Sequence, residues 1–216
     1  MKQELIHRTE EFLKEKFSKS ETLATDPAAC AYRLEHSYRV ANIAKSIAEA
    51  EGFDVTCAVV AGLLHDVAYC EEMPDREAWK NHGRRSAAIA RPFLQELGLS
   101  AEEIHEICYG IAIHVDDEAD FPGQRTAFAE TVGDADNIDR FDAYRIYETL
   151  QTVGFSKMTL AEKQDQVSSM LSRLNSLREM KLGTAAAKIL WQQRLDDYIA
   201  FYEKLRDQLN HSTAVL

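Results

Sequence analysis

The chain has 216 residues, 45% of them hydrophobic, enough for one sizeable core and therefore for a single domain over 1–216. Its formal net charge of −11 argues against duplex nucleic acid as a partner, and no stretch approaches the ~18 consecutive apolar residues of a membrane span. The four cysteines, Cys30, Cys57, Cys70 and Cys108, are dispersed without a CxxC pair, so no disulfide scaffold or zinc ribbon is expected and a reducing cytoplasm fits.

The opening MKQELIHRTEEFLKEKF alternates charge with apolar residues, unlike a secretory h-region. Over residues 28–51, His36 shares a helical stripe with Val40, Ile43, Ala44 and Ile47, and Gly52 is placed to end that helix. Asp54 can cap a second helix reaching about Asp66, apolar almost all round and hence central. Within it, Gly62 costs about 1 kcal/mol relative to Ala, which makes sense if another element approaches closely there. Further helices are expected over about 82–97, stopped by Gly98, from Ser100 (a capping box with Glu103) to about His114, and over about 126–150. Thr159 and Glu162 open another capping box, leading a helix with Val167, Met170, Leu171, Leu174 and Leu177 on one side. The last helix spaces Trp191, Leu195, Tyr198, Tyr202, Leu205 and Leu209 for burial. These two helices are expected to pair as an antiparallel hairpin over about 158–210 that covers the core, a homodimer seam being the alternative use. No strand-period run stands out, and the fold class is all-α.

AGLLHDVAYC sets a histidine and an aspartate at the end of an apolar run, where burial and the negative end of the helix dipole both disfavour a carboxylate. A cation resolves both conflicts. His36, on the buried stripe of the preceding helix, can meet His65 and Asp66 across the helix packing. Downstream, TVGDADNIDRFDAY carries Asp134, Asp136, Asp139 and Asp142, one of which could complete a site, though spacing does not choose Asp136 over Asp134.

The order of His36, His65–Asp66 and a later Asp resembles the HD superfamily of metal-dependent phosphohydrolases, whose H…HD…D pattern sits on an all-α helical bundle. LEHSYRVANIAKSIAE, VVAGLLHDVAY, NHGRRSAAIARPFLQELG, IHEICYGIAIHVDD and VGDADNIDRFDAYRI are similar, in order and spacing, to segments of its small single-domain bacterial members, over about residues 30–150. The resemblance implies His36, His65, Asp66 and Asp136 as metal ligands. Two imidazoles with two carboxylates favour Mn²⁺, Fe²⁺, Co²⁺ or Ni²⁺ over Mg²⁺ and Zn²⁺.

His82 and His114 match, in order, the histidines that hold a second ion in binuclear relatives. Similar histidines in mononuclear relatives contact substrate or act as acids, and that is the role favoured here. Arg84 and Arg85 follow His82 at a helix start and suggest a phosphate partner, unless they pair with Glu71, Glu72 or Asp75. With Arg39 and Lys80 they would gather positive potential on a short polyphosphate. Tyr69 and Trp79 flank the HD loop and could stack on a base, or pack in the core. One departure is Tyr69, which stands where some superfamily nucleotidases carry a glutamate as candidate general acid, leaving Glu71 or Glu72 as substitutes. The implied function is hydrolysis of a small phosphorylated molecule, a nucleotide above all. The alternatives are a non-catalytic module that binds a nucleotide or partner, and a binuclear phosphodiesterase.

Overall fold

The computed structural model describes residues 2–141 and 143–214, so Asp142 lies outside the described residues. Among them there are helices and no strand: α1 (Lys2–Ser18), α2 (Pro27–Glu51), α3 (Val55–Leu64), α4 (Arg76–Lys80), α5 (His82–Glu96), α6 (Ala101–Ile113), α7 (Ala127–Asp139), α8 (Ala143–Thr152), α9 (Leu160–Ser176) and α10 (Ala185–Asn210), with short 3₁₀ turns between some of them. None is long and apolar enough to cross a membrane.

The signals expected at Gly52, Asp54, Ser100 and Thr159 act as read, and Asp26 adds a cap not anticipated from the sequence. Asp26 accepts from the amides of Ala28 and Ala29 at the start of α2, and Gly52 closes it in the left-handed region at φ 74°. Asp54 caps α3 through the Thr56 and Cys57 amides, and Ser100–Glu103 and Thr159–Glu162 form complete capping boxes.

The chain groups into two compact units: one runs to Asp139 and includes Leu182–Ala187, the other takes Arg140–Lys181 and the chain from Lys188 onward. In the first, α3 is buried from Thr56 to Leu64 and is touched by α1, α2, α5, α6 and α7, the central place its all-round apolar sequence requires. Gly62 permits the approach of α2, since a Cβ there would lie 2.7 Å from Ala41 Cα. In α1, Leu13 and Phe17 join Leu23 and Val67 in a buried cluster. The helix expected over 126–150 is broken: α7 stops at Asp139 and α8 begins at Ala143. The apolar period runs on across the break with no Gly or Pro to mark it, so local pattern could not show it.

The hairpin expected over 158–210 falls largely in the second unit. There α9 and α10 run antiparallel, with Gln164 bonded to Asn210 near one end and, near the other, Arg178 to Asp196 and the Trp191 indole to the Leu177 carbonyl. Val167, Leu171, Leu174, Trp191, Leu195, Tyr198, Tyr202 and Leu209 are buried, and the Phe141 ring meets Trp191 edge-on at 4.5 Å.

Candidate metal centre

α3 ends at Leu64, two residues short of expectation, and Asp66 has left the helix at φ −106°. That exit lets consecutive residues aim at one place: His65 Nε2 and Asp66 Oδ1 are 3.7 Å apart. α2 contributes His36, whose Nε2 is 3.2 Å from His65 Nε2 and 3.6 Å from Asp66 Oδ2. α7 contributes Asp136, with Oδ1 3.2 Å from His36 Nε2 and 4.0 Å from His65 Nε2. All four residues are buried.

The tautomers follow from what the other ring nitrogens meet. His65 Nδ1 lies 2.7 Å from the Gly62 carbonyl, His114 Nδ1 2.7 Å from that of Ile111, and His82 Nδ1 bonds the Trp79 carbonyl. Carbonyl oxygens only accept, so each Nδ1 carries a proton and each ring turns its Nε2 inward, where it offers a lone pair whenever the ring is neutral. His36 Nδ1 donates to a carboxylate instead, Asp139 Oδ2 at 2.8 Å.

His82 and His114 gather beside the first group. Their Nε2 atoms are 3.1 Å apart, and Asp66 Oδ1 lies 3.1 Å from His82 and 3.7 Å from His114. Asp66 therefore faces two imidazole pairs, one through Oδ2 and Oδ1 together and the other through Oδ1. Lone pairs pointed at each other at 3.1 and 3.2 Å repel unless a proton or a metal ion stands between them. Cis donors on one ion, with bonds of about 2.1 Å, lie about 3 Å apart, so the His36–His65 and His82–His114 spacings both fit.

The electrostatics say the same. Burial opposes charge on His36, yet hydrogen bonds to Asp136 and Asp139 and the charge of Asp66 overcome it and raise its pKa to about 9. Burial holds His65 down to about 4. Burial alone would push the Asp66 carboxyl up, but the surrounding imidazoles, His65 first, draw it well below the usual range. The centre is built to hold positive charge against buried carboxylates.

The other candidates are placed differently. Asp134 turns away from the histidines and accepts the Gly183 amide through Oδ2 at 2.9 Å, and burial raises its carboxyl to about 7. Arg39 grips Asp139, Nε to Oδ1 at 2.8 Å. Arg84 reaches the loop after α6, with Nη1 2.8 Å from Asp116 Oδ1, and also bonds Asn81. Arg85 forks onto Glu71 at 2.6 and 2.7 Å, the surface pairing weighed against a phosphate role, which also occupies one of the candidate acids. Glu72 and Lys80 are exposed. Trp79 is 46% exposed, with its ring centroid 6.0 Å from that of His82.

Arg33 is not among the residues the sequence singles out, and Asp139 enters there only as a possible ligand, not as the partner of one. Arg33 donates to Asp66 Oδ2 at 3.1 Å with its guanidinium 3.4 Å from the Tyr69 ring centroid, and Asp139 anchors His36. Both were legible in principle, since Arg33 precedes His36 by three and Asp139 follows Asp136 by three, which sets each on its ligand's helix face.

A search of curated proteins found no match. Three solved structures share the fold. An HD-superfamily hydrolase from Bacillus thuringiensis is 23% identical with a TM-score of 0.69, covering 97% of this chain and 99% of its own. A predicted HD superfamily hydrolase from an uncultured Thermotogales bacterium is 21% identical at 0.62, covering 94% and 91%. Bacillus subtilis YpgQ, in complex with ADP, is 17% identical at 0.60, covering 96% of each chain. The HD domain profile matches residues 33–143, the span that supplies all the converging histidines and aspartates, and the chain belongs to the HD domain family.

Proposed function

We propose that this protein is a metal-dependent phosphohydrolase acting on a small phosphorylated molecule, a nucleotide in the first instance. One observation carries the reading: His36 and His65 turn Nε2 atoms toward each other at 3.2 Å with Asp66 and Asp136 alongside, a donor set that fits a divalent cation of the Mn²⁺, Fe²⁺, Co²⁺ or Ni²⁺ type. Such a cation supplies the charge that polarises a phosphate oxygen and an attacking water. The chain's own residues do the rest. His36, His65, Asp66 and Asp136 hold the ion, and Arg33 offsets negative charge on Asp66 while Tyr69 fixes its guanidinium plane. His82 and His114, beside Asp66, face the substrate and are placed to give or take a proton. The nucleotide preference is supported by the ADP bound to the B. subtilis neighbour and by the exposed Trp79 next to His82. Four free thiols fit a reducing cytoplasm.

A second reading has its own support: Asp66, His82 and His114 bring their ligand atoms within 4.8 Å of one another, as a second ion would require. Metal analysis of the purified protein beside a phosphate-release screen over nucleotides and simple phosphomonoesters tests both. One ion per chain with nucleotide turnover supports the single-ion enzyme. Two ions, falling to one in His114→Ala, support the binuclear form. A folded protein that retains metal and binds ADP but releases neither phosphate nor pyrophosphate from any compound is a binding module, and the hydrolase reading fails.

A further inference from the structure

We infer that Asp139, clamped by Arg39, is the positioning residue that sets the ring of His36 for metal binding. The inference rests on the metal centre proposed above and concerns residues that do not themselves reach the ion. Of the four histidines in the centre, three are oriented by backbone carbonyls, Gly62, Trp79 and Ile111, which helix geometry holds whatever the side chains are. His36 is oriented by a side chain, Asp139 Oδ2 at 2.8 Å from Nδ1. Its tautomer can therefore be altered by a single substitution elsewhere.

Asp139 is itself fixed. Its side chain is 2% exposed, and Arg39 approaches it with two donors, Nε to Oδ1 at 2.8 Å and Nη2 to Oδ2 at 3.3 Å. His36 and Arg39 stand one turn apart on α2, and Asp136 and Asp139 one turn apart on α7. Two contacts one turn apart thus register the helices: His36 with Asp136 at the centre, Arg39 with Asp139 beside it. The Tyr32 ring, parallel to His36 within 2° at 6.1 Å, bounds the other side of the imidazole. Asp139 is also the last residue of α7, where the helix dipole disfavours a carboxylate. Helix stability alone gives no reason for an aspartate there, whereas orienting a ligand does, because a carboxylate on the far nitrogen raises the basicity of a metal-binding imidazole. Arg39, expected from the sequence to meet substrate, acts instead through Asp139.

The test measures Mn²⁺ and Co²⁺ affinity by competition with a chelating indicator, alongside unfolding of the chelator-treated protein. Asp139→Asn keeps the size of the side chain and removes its charge, and is expected to weaken both metals by about 10- to 100-fold. Arg39→Gln leaves Asp139 in contact with His36 and is expected to give a smaller loss in the same direction, with an altered Co²⁺ absorption band in each variant. A purely structural role would lower the unfolding midpoint of the metal-free protein and leave metal affinity per folded molecule unchanged, and that result overturns the inference. Should Asp139→Asn fail to fold, wild-type affinity in Arg39→Gln overturns it equally. A wild-type protein that takes up neither metal would instead defeat the metal centre itself, and the positioning role with it.

Discussion

Replacing Gly62 with alanine tests whether the site depends on how closely α2 and α3 approach. An added Cβ would lie 2.7 Å from Ala41 Cα and 3.0 Å from Ala41 N, both backbone atoms that no rotamer change can move. Ordinary contact begins near 3.4 Å, so the two helices must separate locally by roughly 0.7 Å or distort. Overpacking of this kind costs about 1–3 kcal/mol, and a backbone obstacle puts the change near the upper end. Alanine recovers about 1 kcal/mol of helix propensity, leaving a net destabilisation of about 2 kcal/mol. The same displacement acts on the centre, because His36 rides on α2 and His65 follows α3, with 3.2 Å between their Nε2 atoms. Urea unfolding of the metal-free protein should show the stability loss. Chelator competition should show weaker metal binding. A Gly62→Ala protein that is more stable by the propensity term and binds metal as tightly as the wild type would refute the reasoning.

Two further outcomes follow from the side-chain placements. Asp134 is buried against the Gly183 amide with its carboxyl raised to about 7, and Glu130 adds to that rise while Arg125 opposes it. A folded-state pKa above the unfolded value near 4 means that the native protein holds a proton the unfolded chain releases. This contribution is fully present below pH 4 and is lost as pH rises through 7. Asp134→Asn should flatten the fall in metal-free stability between pH 5 and 8 while retaining bound metal, and an unchanged slope or a loss of metal would contradict the placement. Trp79, half exposed beside His82, should matter for the base: Trp79→Ala is expected to lower kcat/KM for nucleotides by about 5- to 150-fold, the range of one base–aromatic stack, while sparing an aryl phosphate. Equal losses on both substrates would remove the stacking role.

Local chemistry decided much of this protein before any tertiary contact. Caps at Asp26, Asp54, Ser100 and Thr159 set helix starts because a side chain two or three residues away satisfies amides that the helix leaves open. An apolar run as unbroken as residues 57–64 can only be central, which places His65 and Asp66 at the heart of the fold. The antiparallel hairpin was legible for the same reason, since two amphipathic stripes on consecutive helices need a common apolar partner.

What the sequence left open depended on which face of a helix meets which neighbour. Asp134 and Asp136 differ by about 160° around α7, and both sit among buried residues, so periodicity marks the helix as enclosed without saying which side looks at α2. Packing turned Asp136 toward His36 and Asp134 toward Gly183. The arginines were undetermined for a related reason. A guanidinium on a long flexible side chain takes whichever carboxylate the fold brings near, and for Arg39, Arg84 and Arg85 these lie on a distant helix, the loop after α6 and the loop before α4. Arg33 likewise reaches across elements, from α2 to Asp66 just past the end of α3.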